Sequence, residues 1–525
     1  MLVISLFIVF LSFVDSARIL LYNPGFGHSH MRFMSMLGDM LMEAGHEITE
    51  IRPQFESSLE FDTKTKKENI YEFPAHIEVL RLFEEAHTKD GFLGRMWYVD
   101  MSAMSMARQA ENMTKMFVKN CENLIENTDL IAKLKQKTFD IGLSEAFCTC
   151  GHGIFAALGL KTIISASSSN LMDHQAILLG VPRVPSYVPG GIGNSLEKMS
   201  LLERAGNAIG SYFGAALFLE IADKQTAMFR KNFGENFAST RETISQSALL
   251  FTNSNPFVDF PAPTIHKVVP IGGIHIKTPK KLSKEWDTIL NKKKRTVLIS
   301  FGSVAKSVEM PDENKKSILK MVTTMPDVQF IWKYEDDDLN DEAPENLMLS
   351  KWTPQTDLLA DPRLSLFITH GGLASTTEIA FSGVPVVVIP LFADQSRNGL
   401  TLFRQGIAKI FSKFDIKNPE KLGEMVKNML DDQSYSQKAK RLSELLKNTP
   451  FSPKELLLRN MEFVTRFGPL PQLDPHGRNL SFIEYFLLDV IFLIVLALLS
   501  IAGLIIFMFK KLTSKIFGKA KTKKD

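Results

Sequence analysis

The amino-acid sequence predicts an α/β protein of two facing doubly wound parallel-sheet domains, followed by one C-terminal transmembrane helix. Three observations predict it. Short apolar runs alternate with amphipathic stripes of 3.6-residue period in two successive blocks, 17–275 and 276–470. A stretch of 20 residues without a charge, Val490–Phe509, lies near the C-terminus. The 525 residues are 45% apolar and 23% charged, the balance of folded domains with length enough for full cores.

The chain opens with Met1–Val14, apolar except for Ser5 and Ser12, and the small residues Ser16 and Ala17 follow. Residues 1–16 therefore read as a cleaved signal peptide, too short to span a bilayer, and export to an oxidising lumen follows. Arg18–Tyr22 predicts a buried strand. The stripe Phe33, Met36, Leu37, Met40, Leu41, Ala44 predicts a helix that Gly45 terminates, and His46–Ile51 predicts the next strand. Strand, turn, helix, strand is the unit of a parallel sheet. Phe139–Ser144 and Lys161–Ser165 continue it. The Pro- and Gly-rich segment Val181–Asn194 predicts an exposed loop. Ile209–Ile221 is apolar nearly all round and reads as a core helix, with a surface helix dipping into lipid as its alternative.

A second set of strands is predicted at Thr296–Ser300, Val328–Trp332, Leu347–Leu349, Leu364–Thr369 and Val384–Ile389, the division falling near Pro270–Pro279. Residues 471–489 form a juxtamembrane linker. Val490–Phe509 reaches about 30 Å as a helix, the thickness of a hydrocarbon core. The tail 510–525 holds seven Lys, and positive charge on that side places it in the cytoplasm. Lys521 and Lys523 stand where a dilysine retrieval signal would, so the expectation is a single-pass type I protein of the endoplasmic reticulum membrane, body lumenal. Asn112 and Asn479 lie in glycosylation sequons.

Net charge is +3, of which the tail supplies +6, so the body carries −3 and offers no footprint for nucleic acid. Three cysteines are too few for a disulfide scaffold or a four-thiolate zinc site. Either Cys148 or Cys150 can pair with Cys121, leaving one thiol over. Asp336-Asp337-Asp338 sits in an acidic run that reads as a solvated loop, so no metal site is expected.

The densest motif runs over the 44 residues Trp352–Gln395. Its His370-Gly371-Gly372 turn, between an apolar strand and a helix, is a phosphate site by its free amides and helix dipole. Ser375 to Glu378 is also a capping-box spacing, and spacing alone leaves both readings open. In the first block His30 stands at the turn before the amphipathic helix, where open α/β sheets present reactive groups.

This motif resembles the signature of the UDP-glycosyltransferases, matching at Trp352, Gln355, His370, Gly372, Ser375, Glu378, Pro385, Asp394 and Gln395. The resemblance implies the GT-B fold, with acceptor bound by the first domain and nucleotide sugar by the second. It implies Trp352 stacked on uracil with Gln355 in the same site, His370 and Ser375 on phosphate, Glu378 on the ribose hydroxyls, and Asp394 with Gln395 on the sugar. Ser303 is similarly placed to reach phosphate, and Asn398 to assist near the sugar. His30 matches the family's catalytic base, with His28 a decoy. The Asp that orients that base is replaced by Glu145, with Asp140 as competitor.

The activity so implied is inverting, metal-independent transfer of a hexosyl group from a UDP-sugar to a small lipophilic acceptor at a membrane, with no cofactor beyond that co-substrate. A homo-oligomer is compatible with this layout. The alternative is a catalytically silent membrane-anchored protein that binds nucleotide sugar or a lipophile. Glucuronosyl members commonly carry Arg in a Pro-Arg-Pro step where this chain has Ala262. UDP-glucose is therefore expected over UDP-glucuronic acid, unless Lys267 or His266 supplies the charge.

Overall fold

The computed structural model describes residues 16–56, 63–88, 90–99 and 109–521. Residues 1–15 of the expected signal peptide and the tail positions 522–525, with Lys523, lie outside the described residues. The chain divides into two units, one ending at Asp474 and one beginning at Pro475.

Two parallel sheets build the first unit. One has seven strands: β1 (Arg18–Tyr22), β2 (Glu47–Pro53), β3 (Ile70–Phe73), β4 (Ile141–Glu145), β5 (Ile163–Ser167), β6 (Leu250–Thr252) and β7 (Val268–Pro270). Their spatial order is β3-β2-β1-β4-β5-β6-β7. The other has six: β8 (Arg295–Ser300), β9 (Val328–Lys333), β10 (Leu347–Ser350), β11 (Leu364–Thr369), β12 (Val386–Val388) and β13 (Ala408–Ile410), ordered β10-β9-β8-β11-β12-β13. In each sheet the order reverses once, between β1 and β4 and between β8 and β11. Ligands of open α/β sheets bind at the carboxyl ends of such a pair.

The central strands β1, β8 and β11 are largely apolar because helices cover both faces. Phe33, Met34, Leu37 and Leu41 of the His28–Glu43 helix join Ile19, Leu21, Ile48 and Leu143 in one core. At Gly38 a Cβ would lie 3.0 Å from the Leu21 side chain, so the absent side chain is what lets the helix lie close on β1. Gly45 ends the helix at φ 97°, a conformation costly for other residues. The helix Pro453–Phe467 returns from the second sheet to the first and places Leu457, Met461 and Val464 in that same core.

The Leu201–Phe233 helix divides its residues between two environments. Ser211, Ala215, Phe218 and Ile221 are buried, whereas Ile209, Tyr212 and Phe213 are exposed. The core-helix expectation holds for one face, and the other presents apolar side chains outward. A disulfide joins Cys121 to Cys150, at a Cα separation of 5.8 Å. Cys148 is the leftover thiol, and burial pushes its pKa up to about 12, which makes it a poor nucleophile.

The second unit contains the helix Leu488–Lys521. Among the described residues its portion Leu488–Lys515 is the one helix long and apolar enough to cross a membrane, with mean hydropathy 3.2.

Candidate active site

The first switch point brings two sequence-predicted residues together. His30 lies in the first turn of the helix after β1, and Glu145 ends β4, the neighbouring strand. His30 Nδ1 is 2.7 Å from Glu145 Oε1, and the carboxylate is almost wholly buried. With Nδ1–H donated to the carboxylate, Nε2 keeps its lone pair and can take a proton. Asp140 is excluded from this role because it sits at the opposite end of β4, paired with Arg18 at 3.0 Å. His28 is on the exposed side of the turn. Apolar rings wall the imidazole, with centroids of Phe26 at 4.2 Å and Phe147 at 5.3 Å. Behind them Phe55, Phe117 and Phe218 continue an aromatic cluster.

The second switch point gathers the glycine turns after β8 and β11. Gly302 has φ 86° and Gly371 φ 87°. A Cβ on Gly302 would come within 2.7 Å of the His370 ring, and one on Gly372 within 2.6 Å, so the imidazole fits only between two glycines. Burial, with Lys333 nearby, lowers the His370 pKa to about 4. His370 is thus neutral at pH 7 and offers a ring N–H rather than a cation. Lys333 itself donates to the Gly302 carbonyl at 2.7 Å and pairs with Glu335 at 3.0 Å. Ser303 is exposed in the turn after β8.

The capping-box reading of Ser375 and Glu378 fails because Gly372 is the N-cap of the Leu373–Ser382 helix and no side chain caps it. Its first amides stay available to an anion. Gln355 Nε2 instead donates to Ser375 Oγ at 3.1 Å and to Glu378 Oε2 at 2.6 Å, and Thr356 donates to Glu378 Oε1 at 2.9 Å. Trp352 is 67% exposed, a large flat ring open to stacking.

Asp394 follows Ala393, whose φ of 55° is unusual for a residue with a side chain. Such outliers concentrate where a neighbouring group must be aimed. Burial raises the Asp394 pKa, opposed by a 2.9 Å hydrogen bond from Asn398 and by the charges of His30 and Arg397. Asp394, beside the six-stranded sheet, is therefore within electrostatic reach of His30, beside the seven-stranded one. Asn398 uses its amide on Asp394 and, at 3.2 Å, on the Gly371 carbonyl, so it braces the turn. The Gln395 carbonyl accepts the amides of Leu391 and Phe392, leaving its NH2 as the polar group still to be used.

Sequence reasoning missed three groups here. Arg397, between Gln395 and Asn398, pairs with Asp259 at 2.7 Å and donates at 3.0 and 3.2 Å to the Asn170 amide oxygen, its orientation set by this network. A cation two residues beyond the end of the motif was the available signal. Ser168 contacts both His30 and Glu145, and only the run Ser167-Ser168-Ser169 after a strand hinted at it. His275 joins the segment after β7 to the Ala374 carbonyl at 3.3 Å. Lys267 is buried and ion-paired with Asp474, so it cannot supply charge to a donor sugar. Asp337 of the acidic loop pairs with Lys351 at 2.5 Å.

The family described as UDP-glucoronosyl and UDP-glucosyl transferase matches residues 18–524. A Caenorhabditis elegans protein named as a UDP-glucuronosyltransferase, ugt-56, is 31% identical over 458 residues, 86% of each chain. UDP-glucosyltransferase 2 of Dactylopius coccus is 26% identical over 530 residues, covering 100% of this chain and 98% of its own. Among solved structures, a UDP-glucosyltransferase from Polygonum tinctorium superimposes with a TM-score of 0.56 at 16% identity, over 86% of this chain and 99% of its own. The two-sheet body is therefore of the GT-B fold.

Proposed function

Since the chain belongs to the UDP-glucuronosyl and UDP-glucosyl transferase family and is a UDP-glycosyltransferase, we propose that it glucosylates a hydroxyl or acid of a small lipophilic acceptor from UDP-glucose, with UDP-glucuronic acid the poorer donor. The observation that carries this reading is the His30–Glu145 pair, lying among aromatic rings and close enough to Asp394 to influence its charge.

The acceptor packs on the Phe26 and Phe147 rings with its hydroxyl toward His30 Nε2. As the acceptor oxygen bonds to the anomeric carbon, His30 takes the hydroxyl proton and the bond from that carbon to the UDP oxygen breaks. Glu145 stabilises the imidazolium. Attack opposite to the leaving group inverts the centre. Charge growing on UDP meets the helix N-terminus at Gly372 and the neutral His370 N–H, which supports a mechanism that needs no metal. Trp352, Gln355, Glu378, Ser303 and Ser375 hold the nucleotide, while Asp394 and the Gln395 amide hold the sugar.

Donor preference follows from where cations are already engaged. Ala262 has no charge, Lys267 is paired with Asp474, and Arg397, whose charge acts on Asp394, is paired with Asp259. A uronate carboxylate there would be desolvated without a partner, whereas glucose asks only for hydrogen bonds. The apolar Leu488–Lys515 helix and the lysines after it support a single-pass anchor with a cytoplasmic tail. The buried Cys121–Cys150 disulfide and the dilysine pattern support a lumenal body in the endoplasmic reticulum.

Turnover of the full-length protein in microsomes, against labelled UDP-sugars and a panel of lipophilic phenols, alcohols and acids, tests this reading. A glucosylated product is the expected result. UDP binding with no product across the panel would favour a silent binding protein.

A further inference from the structure

We propose that Ser168 is a positioning residue that fixes both the carboxylate and the imidazole of the base pair; the proposal rests on the transferase reading above. Ser168 follows β5, the strand beside β4, and its Oγ lies 2.6 Å from His30 Nδ1. Its hydroxyl also donates to Glu145 Oε1, and its backbone N–H reaches the same oxygen at 3.3 Å. The other carboxylate oxygen, Oε2, is buried without a hydrogen-bond partner among the described residues. Among the described residues, the hydrogen bonds that hold this carboxylate therefore converge on Oε1, from His30 and twice from Ser168.

Hydrogen counting assigns the directions. A carboxylate can only accept, so the Ser168 hydroxyl proton points at Glu145 and its lone pair faces His30 Nδ1–H. The hydroxyl dipole then has its negative end toward the imidazole and its positive end toward the carboxylate, which favours the charged pair formed during proton transfer. It also fixes the proton on Nδ1 and leaves Nε2 as the base. The longer side chain of Glu, with one more rotatable bond than Asp, makes such a clamp useful: two donors from one residue hold the oxygen against His30 and offset the entropy of ordering it.

Serine, histidine and an acid in mutual contact also invite a hydrolase-like reading. The geometry excludes it. A nucleophilic serine passes its proton to the ring nitrogen opposite the acid, whereas here Ser168 and Glu145 share Nδ1.

The test uses the full-length protein in membranes. Ser168→Ala is expected to lower kcat about tenfold while leaving KM for UDP-glucose within about twofold, and Ser168→Thr to restore most of it. In a Glu145→Gln background the same change is expected to cost less than about twofold, because the charge it serves is gone. Wild-type kcat in Ser168→Ala, additivity with Glu145→Gln, or an effect confined to KM would each overturn the proposal. Modification of His30 by diethyl pyrocarbonate at pH 7, followed on its peptide by mass spectrometry, needs no turnover. Ser168→Ala is expected to slow it several-fold, and an unchanged rate overturns the proposal even if every donor and acceptor fails. Failure of all substrates with a slowed modification would instead strike only the transferase reading.

Discussion

His30 Nδ1 and Glu145 Oε1 are 2.7 Å apart across 115 residues of sequence, because β1 and β4 are neighbours in the sheet and both end at its switch point. Replacing His30 with Ala is expected to abolish transfer to alcohols while UDP affinity stays nearly constant. Glu145→Gln is expected to lower kcat by about 10²-fold, since an amide cannot stabilise an imidazolium. Activity lost in His28→Ala but kept in His30→Ala would refute the assignment of the base.

Donor selectivity is expected to depend on the Arg397–Asp259 pair. Asp259→Asn keeps the hydrogen bond to the Phe260 amide but removes the charge that occupies Arg397. The ratio of kcat/KM for UDP-glucuronic acid to that for UDP-glucose is expected to rise about tenfold in this variant. Adding Arg397→Gln is expected to cancel the rise. Competition between the two labelled donors measures it, and a constant ratio would remove Arg397 from donor choice.

Asp394 exchanges stability for function. Burial raises its pKa in the folded protein, so its ionised form opposes folding at neutral pH, and that penalty fades as pH falls through the folded pKa. Asp394→Asn is expected to have a Tm at pH 7 equal to or above wild type, with the gap closing on acidification, while kcat/KM for the donor falls about 10²-fold. A markedly lower Tm at pH 7 would contradict this account.

Acid is expected to destabilise the body through buried neutral histidines. Burial lowers the pKa of His152 to about 3, and those of His174 and His370 to about 4. Unfolded, each binds a proton near pH 6.5, so the unfolded state gains protons first and stability declines as pH drops from about 6.5 toward 4. His174→Phe retains the stacking on Phe218, and Gln175 still donates to the Ala146 carbonyl. Its Tm is expected to fall less steeply with pH, by about a third of these histidines' contribution. An unaltered slope would assign the acid sensitivity elsewhere.

Truncation after Arg478 is expected to release a folded, soluble body. Carbonate-resistant attachment of that fragment would show that the outward face of Ile209, Tyr212 and Phe213 is a second lipid contact.

Much of this protein was legible in the residues. β1, β4, β5 and β8 to β11 are apolar runs long enough to declare themselves, and the motif from Trp352 to Gln395 marked the family. The 20 uncharged residues before Lys510 likewise announced the long apolar helix. These features are local, set by side-chain polarity and backbone preference within a few residues. β6, β7 and β13, at three residues each, carry no period of their own and exist because a neighbouring strand supplies their hydrogen bonds. The choice of Cys150 over Cys148, the rejection of the capping box, the contacts of Ser168 and the engagement of Arg397 by Asp259 were likewise decided only by the tertiary structure. Each depends on which distant groups the sheet order brings within a few ångströms, and hydrogen bonds and ion pairs act only at that range.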